Sequence, residues 1–297
     1  MLTILTATYN RGHLLRACYR SLLGETCTDF EWLIIDDGST DDTEKVVSAI
    51  RNENPPFAVR YVKKENGGKH TALNFSHPYI NGQYVMMLDD DDTLSPDAVE
   101  TVLRDWKEYD GNGRIGCISY QRGSAETGKP LIPWRGKESV VSNYIDFRVN
   151  GHRRGDAAEV VRRKMLLEYP APVFDGEKFL PEDFLWVNSA YEYDTLYINR
   201  VIYLSEYRAD GLTKGKERNR FSFPKGGMYT CSLYLNSRVA FSVRVKKAVL
   251  YDLYSISTGE CTKYLKCSKS PVLTGLMLPA AWLLYMTLFR HHRIKGE

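Results

Sequence analysis

The chain has 297 residues, room for one large domain or one domain with an appendage. Its hydrophobic and charged contents are those of an ordinary globular protein, and a formal charge of +3 makes no case for nucleic acid as a partner. The six cysteines (Cys18, Cys27, Cys117, Cys231, Cys261 and Cys267) include no C-x-x-C pair, and the closest two have no nearby His. A zinc site or disulfide framework is therefore not expected, and a reducing compartment is. The N-terminus enters directly on strand-like Met1 to Ala7, with neither a basic stretch nor a cleavage site, so a secretory signal is not expected. Twenty tyrosines, many between 191 and 264, point to half-buried or interfacial surfaces there.

Residues 1–7 predict a strand, Asn10 to Gly12 a turn, and His13 to Leu23 a helix through the spacing of Leu14, Leu15, Cys18, Tyr19, Leu22 and Leu23. A second strand over 31–35 ends in Asp36-Asp37-Gly38-Ser39, and a helix capped by Thr40 or Asp41 follows to Ile50. A third strand covers 58–62, a loop Asn66 to Gly68, and a helix 69–77. Tyr84 to Leu88 is a fourth, buried strand. Ser95-Pro96-Asp97 opens a helix to 109 as N-cap, N1 and N2. This alternation predicts a doubly wound, mostly parallel α/β sheet flanked by helices. A strand at 115–120, a loop over 121–150, helices at 157–168 and 181–191 and a strand at 201–207 come next. Beyond about 225 the pattern is helical. The expected division is a catalytic domain over 1–220 and a helical C-terminal region over 221–297.

Three strand ends carry polar clusters: Thr8-Tyr9-Asn10-Arg11, Asp36-Asp37-Gly38-Ser39 and Asp89-Asp90-Asp91-Asp92. In a parallel sheet these ends share the edge where ligands bind. A carboxylate can accept from a uracil N–H or a ribose hydroxyl. Four adjacent anions call for a counter-charge, for which a divalent cation carrying phosphates is the natural candidate. Taken singly, 36–39 is also a turn with a helix cap, and 89–92 a solvated loop. Residues 86–93 also fit an aspartyl phosphotransferase strand, but the downstream Lys and acidic pair are out of order. A nucleotidyltransferase would want a glycine-rich basic loop near residue 10, of which Arg11-Gly12 is a poor version. A non-catalytic sugar-nucleotide-binding membrane subunit is the third alternative.

Thr8-Tyr9-Asn10-Arg11, the I-I-D-D-G-S-T-D-D-T run at 34–43, Asn66-Gly67-Gly68-Lys69 with Ala72-Leu73-Asn74, and L-D-D-D-D-T-L-S-P-D at 88–97 together resemble family 2 glycosyltransferases of the GT-A fold. A later Pro181-Glu182-Asp183 extends the likeness to most of the first 210 residues. The resemblance implies a metal-dependent, inverting enzyme that moves a sugar from a nucleotide donor, expected to be UDP-linked, to a hydroxyl of a glycan or lipid-linked acceptor in envelope polysaccharide or glycoconjugate synthesis. It implies Thr8, Tyr9, Asn10 and Arg11 around the nucleotide, Asp37 at the base with Asp36 supporting its turn, and Lys69 near the base or phosphates. Asp89 and Asp91 would be the D-x-D pair at the Mg²⁺ or Mn²⁺ site, Asp89 toward the ribose and Asp91 on the metal, with Asp90 at the variable position and Asp92 capping the next turn. Asp183 would be the general base, with Glu182 beside it as the second candidate.

Three weaker positions complete the reading. Gly155-Asp156 either touches the donor sugar or caps a helix. Tyr207-Arg208 would bring a cation to the diphosphate. His152, Arg153 and Arg154 would do the same or form a basic surface. The uncharged segment 270–289, bracketed by Lys263, Lys266 and Lys269 and by Arg290, Arg293 and Lys295, is expected to span or lie on a membrane, with Pro279 kinking it, or else to form a buried helix or an oligomer contact. Because nucleotide sugars are cytosolic, the expected location is the cytoplasmic face of the inner membrane.

Overall fold

The computed structural model of the chain describes residues 1–132, 136, 138–153, 155–205 and 222–288. The opening units form as their periodicity dictates: β1 (Leu2–Thr8), α1 (Gly12–Leu23), β2 (Phe30–Asp36), α2 (Thr43–Asn52), β3 (Ala58–Lys63), α3 (Lys69–Ser76) and β4 (Tyr84–Met87). Every residue of β2 is buried, as befits a central strand covered on both faces. α1 buries Leu14, Leu15, Cys18, Tyr19 and Leu22 along one stripe. β1 pairs in parallel with β2 and β4, and β2 with β3, so four strand ends share one edge. At the opposite edge, Glu31 is 2% exposed and accepts from Thr3 at 2.7 Å, from the Asn81 backbone at 2.8 Å and from the Asn81 side chain at 2.7 Å. That carboxylate ties β1, β2 and the turn into β4 together.

After β4 come β5 (Thr93–Leu94), α4 (Ala98–Tyr109), β6 (Ile115–Ser124), β7 (Ser139–Ser142), β8 (Ala157–Arg162), α5 (Arg163–Glu168), α6 (Asp183–Ser189) and β9 (Asp194–Ser205). Among the described residues one sheet runs in the order β3-β2-β1-β4-β8-β6-β9-β5, with β7 on β9. β6 and β9 are parallel, whereas β8 is antiparallel to both β4 and β6. The result is a mixed α/β fold with its parallel half at the front of the chain.

Several expectations change here. Residues 157–162 are a strand, not the start of a helix to 168; only 163–168 are helical. Ala158, Val160 and Val161 are at most 1% exposed, and the β-branched pair fills the slot between β4 and β6. The loop expected over 121–150 contains the end of β6, all of β7 and a helical turn at Ile145–Asn150. α4 starts at Ala98 rather than at Pro96, and the Ser95 hydroxyl donates to the Asp97 carboxylate at 2.9 Å instead of capping backbone. The late strand begins at Asp194, seven residues before the expected 201.

The sheet lies in a unit formed by Met1–Asn143, Arg154–Ala171 and Ser189–Arg208. A second unit, Tyr144–Arg153, Pro172–Asn188 and Ala209–Glu297, holds most of α6 and then α7 (Pro224–Leu233), α8 (Phe241–Ser257), α9 (Cys261–Cys267) and α10 (Pro271–Leu288). α10 runs through Pro279. It buries Thr274 and Ala281, seven residues apart, and exposes Val272, Leu276, Trp282 and Leu283. No helix among the described residues is long and apolar enough to cross a membrane. The basic flank at Arg290, Arg293 and Lys295 lies outside the described residues. No disulfide joins any of the six cysteines.

Asp252 of α8 is fully buried, and neither carboxylate oxygen has a hydrogen-bond partner among the described residues. Burial pushes its carboxyl up to about 7. In the unfolded chain this group ionises near ~4, so its stabilising effect is full below about pH 4 and is lost as pH rises through about 7. Asp252→Asn is expected to raise stability above pH 7, by about 4 kcal/mol at most, and to change little at pH 4. Chemical denaturation of parent and variant across that range checks this; an unchanged difference between the two proteins at all pH values would refute it.

Candidate active site

The three polar strand ends are sewn to one another. Asn10 adopts φ +53°, a left-handed backbone that Asn tolerates. Its side-chain oxygen accepts the Thr40 and Asp41 amides at 2.7 and 3.3 Å, and its own amide donates to the Ser39 hydroxyl at 2.8 Å. A Cβ on Gly12 would lie 2.6 Å from the Thr43 backbone, so only glycine permits this approach of α1 to α2. Asp36 is fully buried and accepts from the Ser39 amide at 2.7 Å and the Tyr61 hydroxyl at 2.5 Å. Tyr9 stands exposed beside them.

Asp37 is filled from the loop after β3. One oxygen accepts from Lys64 at 2.7 Å and the Gly67 amide at 3.0 Å. The other accepts from the Gly68 amide at 2.7 Å and the Asn66 side chain at 3.1 Å. These contacts use all four lone-pair sites of the carboxylate and fix the 64–68 loop at the head of α3.

The acids after β4 alternate in exposure. The side chains of Asp89 and Asp91 are 30% and 19% exposed, those of Asp90 and Asp92 only 4% and 7%. Asp89 pairs with Lys69 at 2.5 Å and Arg122 at 3.5 Å. Asp91 pairs with Arg11 at 2.5 Å. Asp90 accepts from Thr8 at 2.7 Å and pairs with Arg11 at 2.8 Å. Asp92 pairs with Arg122 at 3.2 Å and does not cap the next turn. Burial alone would raise the Asp89 carboxyl, but the Lys69 and Arg122 cations hold it well below the usual carboxylate range. Burial raises Asp90 to about 6 against the pull of Arg11. Burial and the Asp89 charge raise Asp92 to about 7.

Arg122 and Tyr203 were not anticipated. The guanidinium lies 4.1 Å from the Tyr203 ring centroid and donates to the Ala157 carbonyl at 3.0 Å, while the Tyr203 hydroxyl accepts the Asp89 amide at 2.9 Å. Arg122 is hidden in the sequence because β6 extends to Ser124, beyond the expected end at Tyr120, and Lys64 because it lies past the apolar part of the third strand. Lys64 nevertheless follows a strand on the same edge, a signal the sequence carried.

Asp156 is exposed and immediately precedes β8. Because β8 runs antiparallel to β4, pairing Met86 with Val160, its start falls at the edge where 89–92 lie. In the second unit, Asp183 opens α6, its carboxylate contacted by Tyr234 and Lys247. Glu182 precedes it. Arg153 stacks on Phe147 at 4.2 Å, and His152 is exposed. Tyr207, Arg208 and Arg154 lie outside the described residues.

The acids suit a hard, oxygen-seeking cation in ligand type. Among the described residues, however, no three His, Cys, Asp or Glu side chains are grouped to hold one. A cation here would take one or two carboxylates and complete its shell from a phosphate-bearing ligand, the usual arrangement for Mg²⁺.

A family model described as "Glycosyl transferase family 2" matches residues 3–162, more than half of the chain. The chain belongs to that family. Its fold is of the GT-A type: it superposes on Staphylococcus aureus TarS 1–349 in complex with UDP-GlcNAc with TM-score 0.66 and 14% identity, covering 91% of this chain and 81% of that one. It also superposes on the mannosyltransferase PcManGT of Pyrobaculum calidifontis, in complex with GDP-Man and Mn²⁺, with TM-score 0.59 and 16% identity, over 99% and 82%. In sequence it is 38% identical over 118 residues to the chondroitin synthase of Pasteurella multocida, spanning 40% of this chain and only 12% of that protein. It is 28% identical over 99% of its length to the GalNAc(5)-diNAcBac-PP-undecaprenol beta-1,3-glucosyltransferase of Campylobacter jejuni, covering 95% of the latter. Family membership replaces the aspartyl phosphotransferase and nucleotidyltransferase alternatives.

Asp37→Ala is expected to free the Gly67 and Gly68 amides. Their hydrogen exchange should accelerate by about tenfold or more, while β1 and β2 amides stay protected, because roughly 1–3 kcal/mol of local bonding is lost. Unchanged protection at both glycines would contradict the anchoring role.

Proposed function

We propose that the protein is an inverting, metal-dependent glycosyltransferase that moves a sugar from a UDP-linked donor to a hydroxyl of a lipid-linked glycan in envelope glycoconjugate synthesis. The observation that carries this reading is the run Asp89 to Asp92 at the parallel sheet's ligand edge, with its less buried acids at i and i+2, in a member of a glycosyltransferase family. The printed activity of the Campylobacter relative, matched nearly end to end, supports the lipid-linked acceptor, and the UDP-GlcNAc complex of TarS supports the uridine donor. In this reading residues 1–220 are the catalytic domain and 221–297 a helical region serving it.

Roles follow from chemistry. Thr8, Tyr9, Asn10 and Arg11 line the nucleotide pocket. Asp36 and Asp37 shape its base side through the 36–43 and 64–68 loops, and Lys69 and Arg208 serve the phosphates. Asp156 and Asp90 complete the donor surround. Asp89 and Asp91 would hold Mg²⁺ or Mn²⁺, which when bound neutralises charge gathering on the departing diphosphate. Asp183 takes the proton from the acceptor hydroxyl, Glu182 being the second candidate.

The test separates binding from chemistry. Asp183→Asn is expected to lower turnover by about 10²–10⁴-fold while UDP affinity with Mn²⁺ stays within a few-fold. Asp91→Asn, or EDTA with the parent, is expected to weaken donor binding and nearly abolish turnover. Full activity in EDTA would overturn the metal role, and parent-rate turnover in a folded Asp183→Asn protein the base assignment. A protein that binds UDP but never turns over a donor would be the non-catalytic subunit.

The exposed apolar side of α10, with Val272, Leu276, Trp282 and Leu283, adjoins exposed Lys263, Lys266 and Lys269. That combination suits the surface of an anionic bilayer at the cytoplasmic face, where such a helix lies in the plane. Full-length protein is expected to float with vesicles containing anionic lipid and Leu276→Glu/Leu283→Glu protein to stay in solution. Equal recovery of both in the soluble fraction would remove the membrane from this account and leave self-association for sedimentation to decide.

A further inference from the structure

The proposed proton acceptor is held by two side chains to which no role has yet been given. Tyr234, 5% exposed at the C-terminal end of α7, donates its hydroxyl to Asp183 Oδ2 at 2.7 Å. Lys247 of α8 brings its ammonium to 3.4 Å from the same oxygen, and to 3.7 Å from the centroid of the Tyr234 ring. The three side chains form a closed triangle in which each touches the other two. Burial and then the Asp183 charge push the Tyr234 phenol well above its ordinary value, so it keeps its proton and acts as donor only. Asp183 Oδ1 has no hydrogen-bond or ion-pair partner among the described residues. A carboxylate serving only to cross-link helices would gain by spreading its two donors over both oxygens. Here both converge on one.

We propose that Tyr234 and Lys247 are positioning residues for Asp183: they lock Oδ2 and leave Oδ1 as the atom that takes the acceptor's proton. The inference rests on the reading of Asp183 as the general base. In that step an acceptor oxygen lone pair forms the bond to the anomeric carbon. The bond from that carbon to the diphosphate oxygen breaks, its electron pair leaving on the diphosphate, and the hydroxyl proton passes to Oδ1. Tyr234 restrains rotation of the carboxylate about its terminal torsion, which is broad and soft when unrestrained. Lys247 adds a charge-assisted contact at 3.4 Å to the same oxygen, which holds the carboxylate's second oxygen toward the acceptor.

The experiment uses the full chain, with UDP release measured for a donor chosen from a panel of UDP-hexoses and UDP-N-acetylhexosamines. Tyr234→Phe keeps the ring and removes the hydroxyl. Lys247→Met keeps the stem and removes the charge, and Lys247→Arg restores a cation. Tyr234→Phe is expected to lower kcat about 10-fold and Lys247→Met about 10–100-fold, the loss of a charge-assisted contact, with donor KM and UDP affinity within a few-fold. Lys247→Arg should recover most of the Lys247→Met loss. In an Asp183→Asn background neither substitution should cost more than about twofold further, because residues acting as a unit are non-additive. A structural role would lower activity equally in both backgrounds. Parent kcat in folded Tyr234→Phe and Lys247→Met proteins, or equal losses with and without Asp183, would overturn the proposal. If Asp183→Asn itself turns over at the parent rate, the base assignment fails and the proposal with it. If that variant is inactive while the other two turn over at the parent rate, only the positioning role fails. Should Tyr234→Phe not fold, Lys247→Met, at a partly exposed side chain, decides alone.

Discussion

Four consecutive carboxylates stand at the end of β4 because three cations from three separate elements meet them: Arg11 from the turn after β1, Lys69 from the head of α3 and Arg122 from β6. Each pair joins residues distant in sequence, so the charges form only once the sheet has formed, and they then hold its loops in place. Removing one partner from a mostly buried pair such as Arg122 and Asp92 costs about 3–5 kcal/mol, since the remaining charge is stranded. The same pairs suit exchange. On the proposed reading, a diphosphate with its metal offers cations to the carboxylates and anions to Arg11 and Lys69, so each partner can be replaced in kind without exposing an uncompensated charge.

The first half of this architecture is legible in the sequence because it is local. Apolar runs end in Asp36-Asp37 and in Asp89 to Asp92, helices follow at regular spacing, and parallel pairing then places the strand ends on one edge. The rest depends on partners far apart in sequence. β8 reads as helix because Ala157 to Glu168 carries good helix formers; its conformation is decided by the empty slot between β4 and β6, a tertiary demand that overrides propensity. Arg122 reads as loop because the expected strand stops at Tyr120, and its partners are 30 and more residues away.

In the candidate site, the sequence names the acids and misses most of what holds them. Asp36, Asp37, Asp89 and Asp91 stand out as strand-end carboxylates. Tyr61, Lys64, Arg122 and Tyr203, which bond or stack with that machinery, are ordinary residues in their local sequence. Tyr234 and Lys247 are less visible still: they sit on helices beyond the stretch matched by the family model, and only the packing of the second unit brings them to Asp183. The acids form short local motifs, whereas their supports come from elements far apart in sequence and are brought together only by packing.

Exposure alternates along Asp89 to Asp92, so a run of four acids yields a spacing of two. The run leaves β4 as a hydrogen-bonded turn, in which the Asp92 amide donates to the Asp89 carbonyl at 3.2 Å. In that turn Asp89 and Asp91 stay partly exposed, while Asp90 and Asp92 turn inward, the first to Thr8 and Arg11 and the second to Arg122. The inward pair titrates upward, to about 6 and about 7, because burial disfavours its charge. The outward Asp89 is driven the other way by Lys69 and Arg122. One sequence motif thus divides into two deeply buried acids and two less buried ones, the latter paired with Lys69 and Arg11, and the turn through Asp90 and Asp91 sets which side each faces.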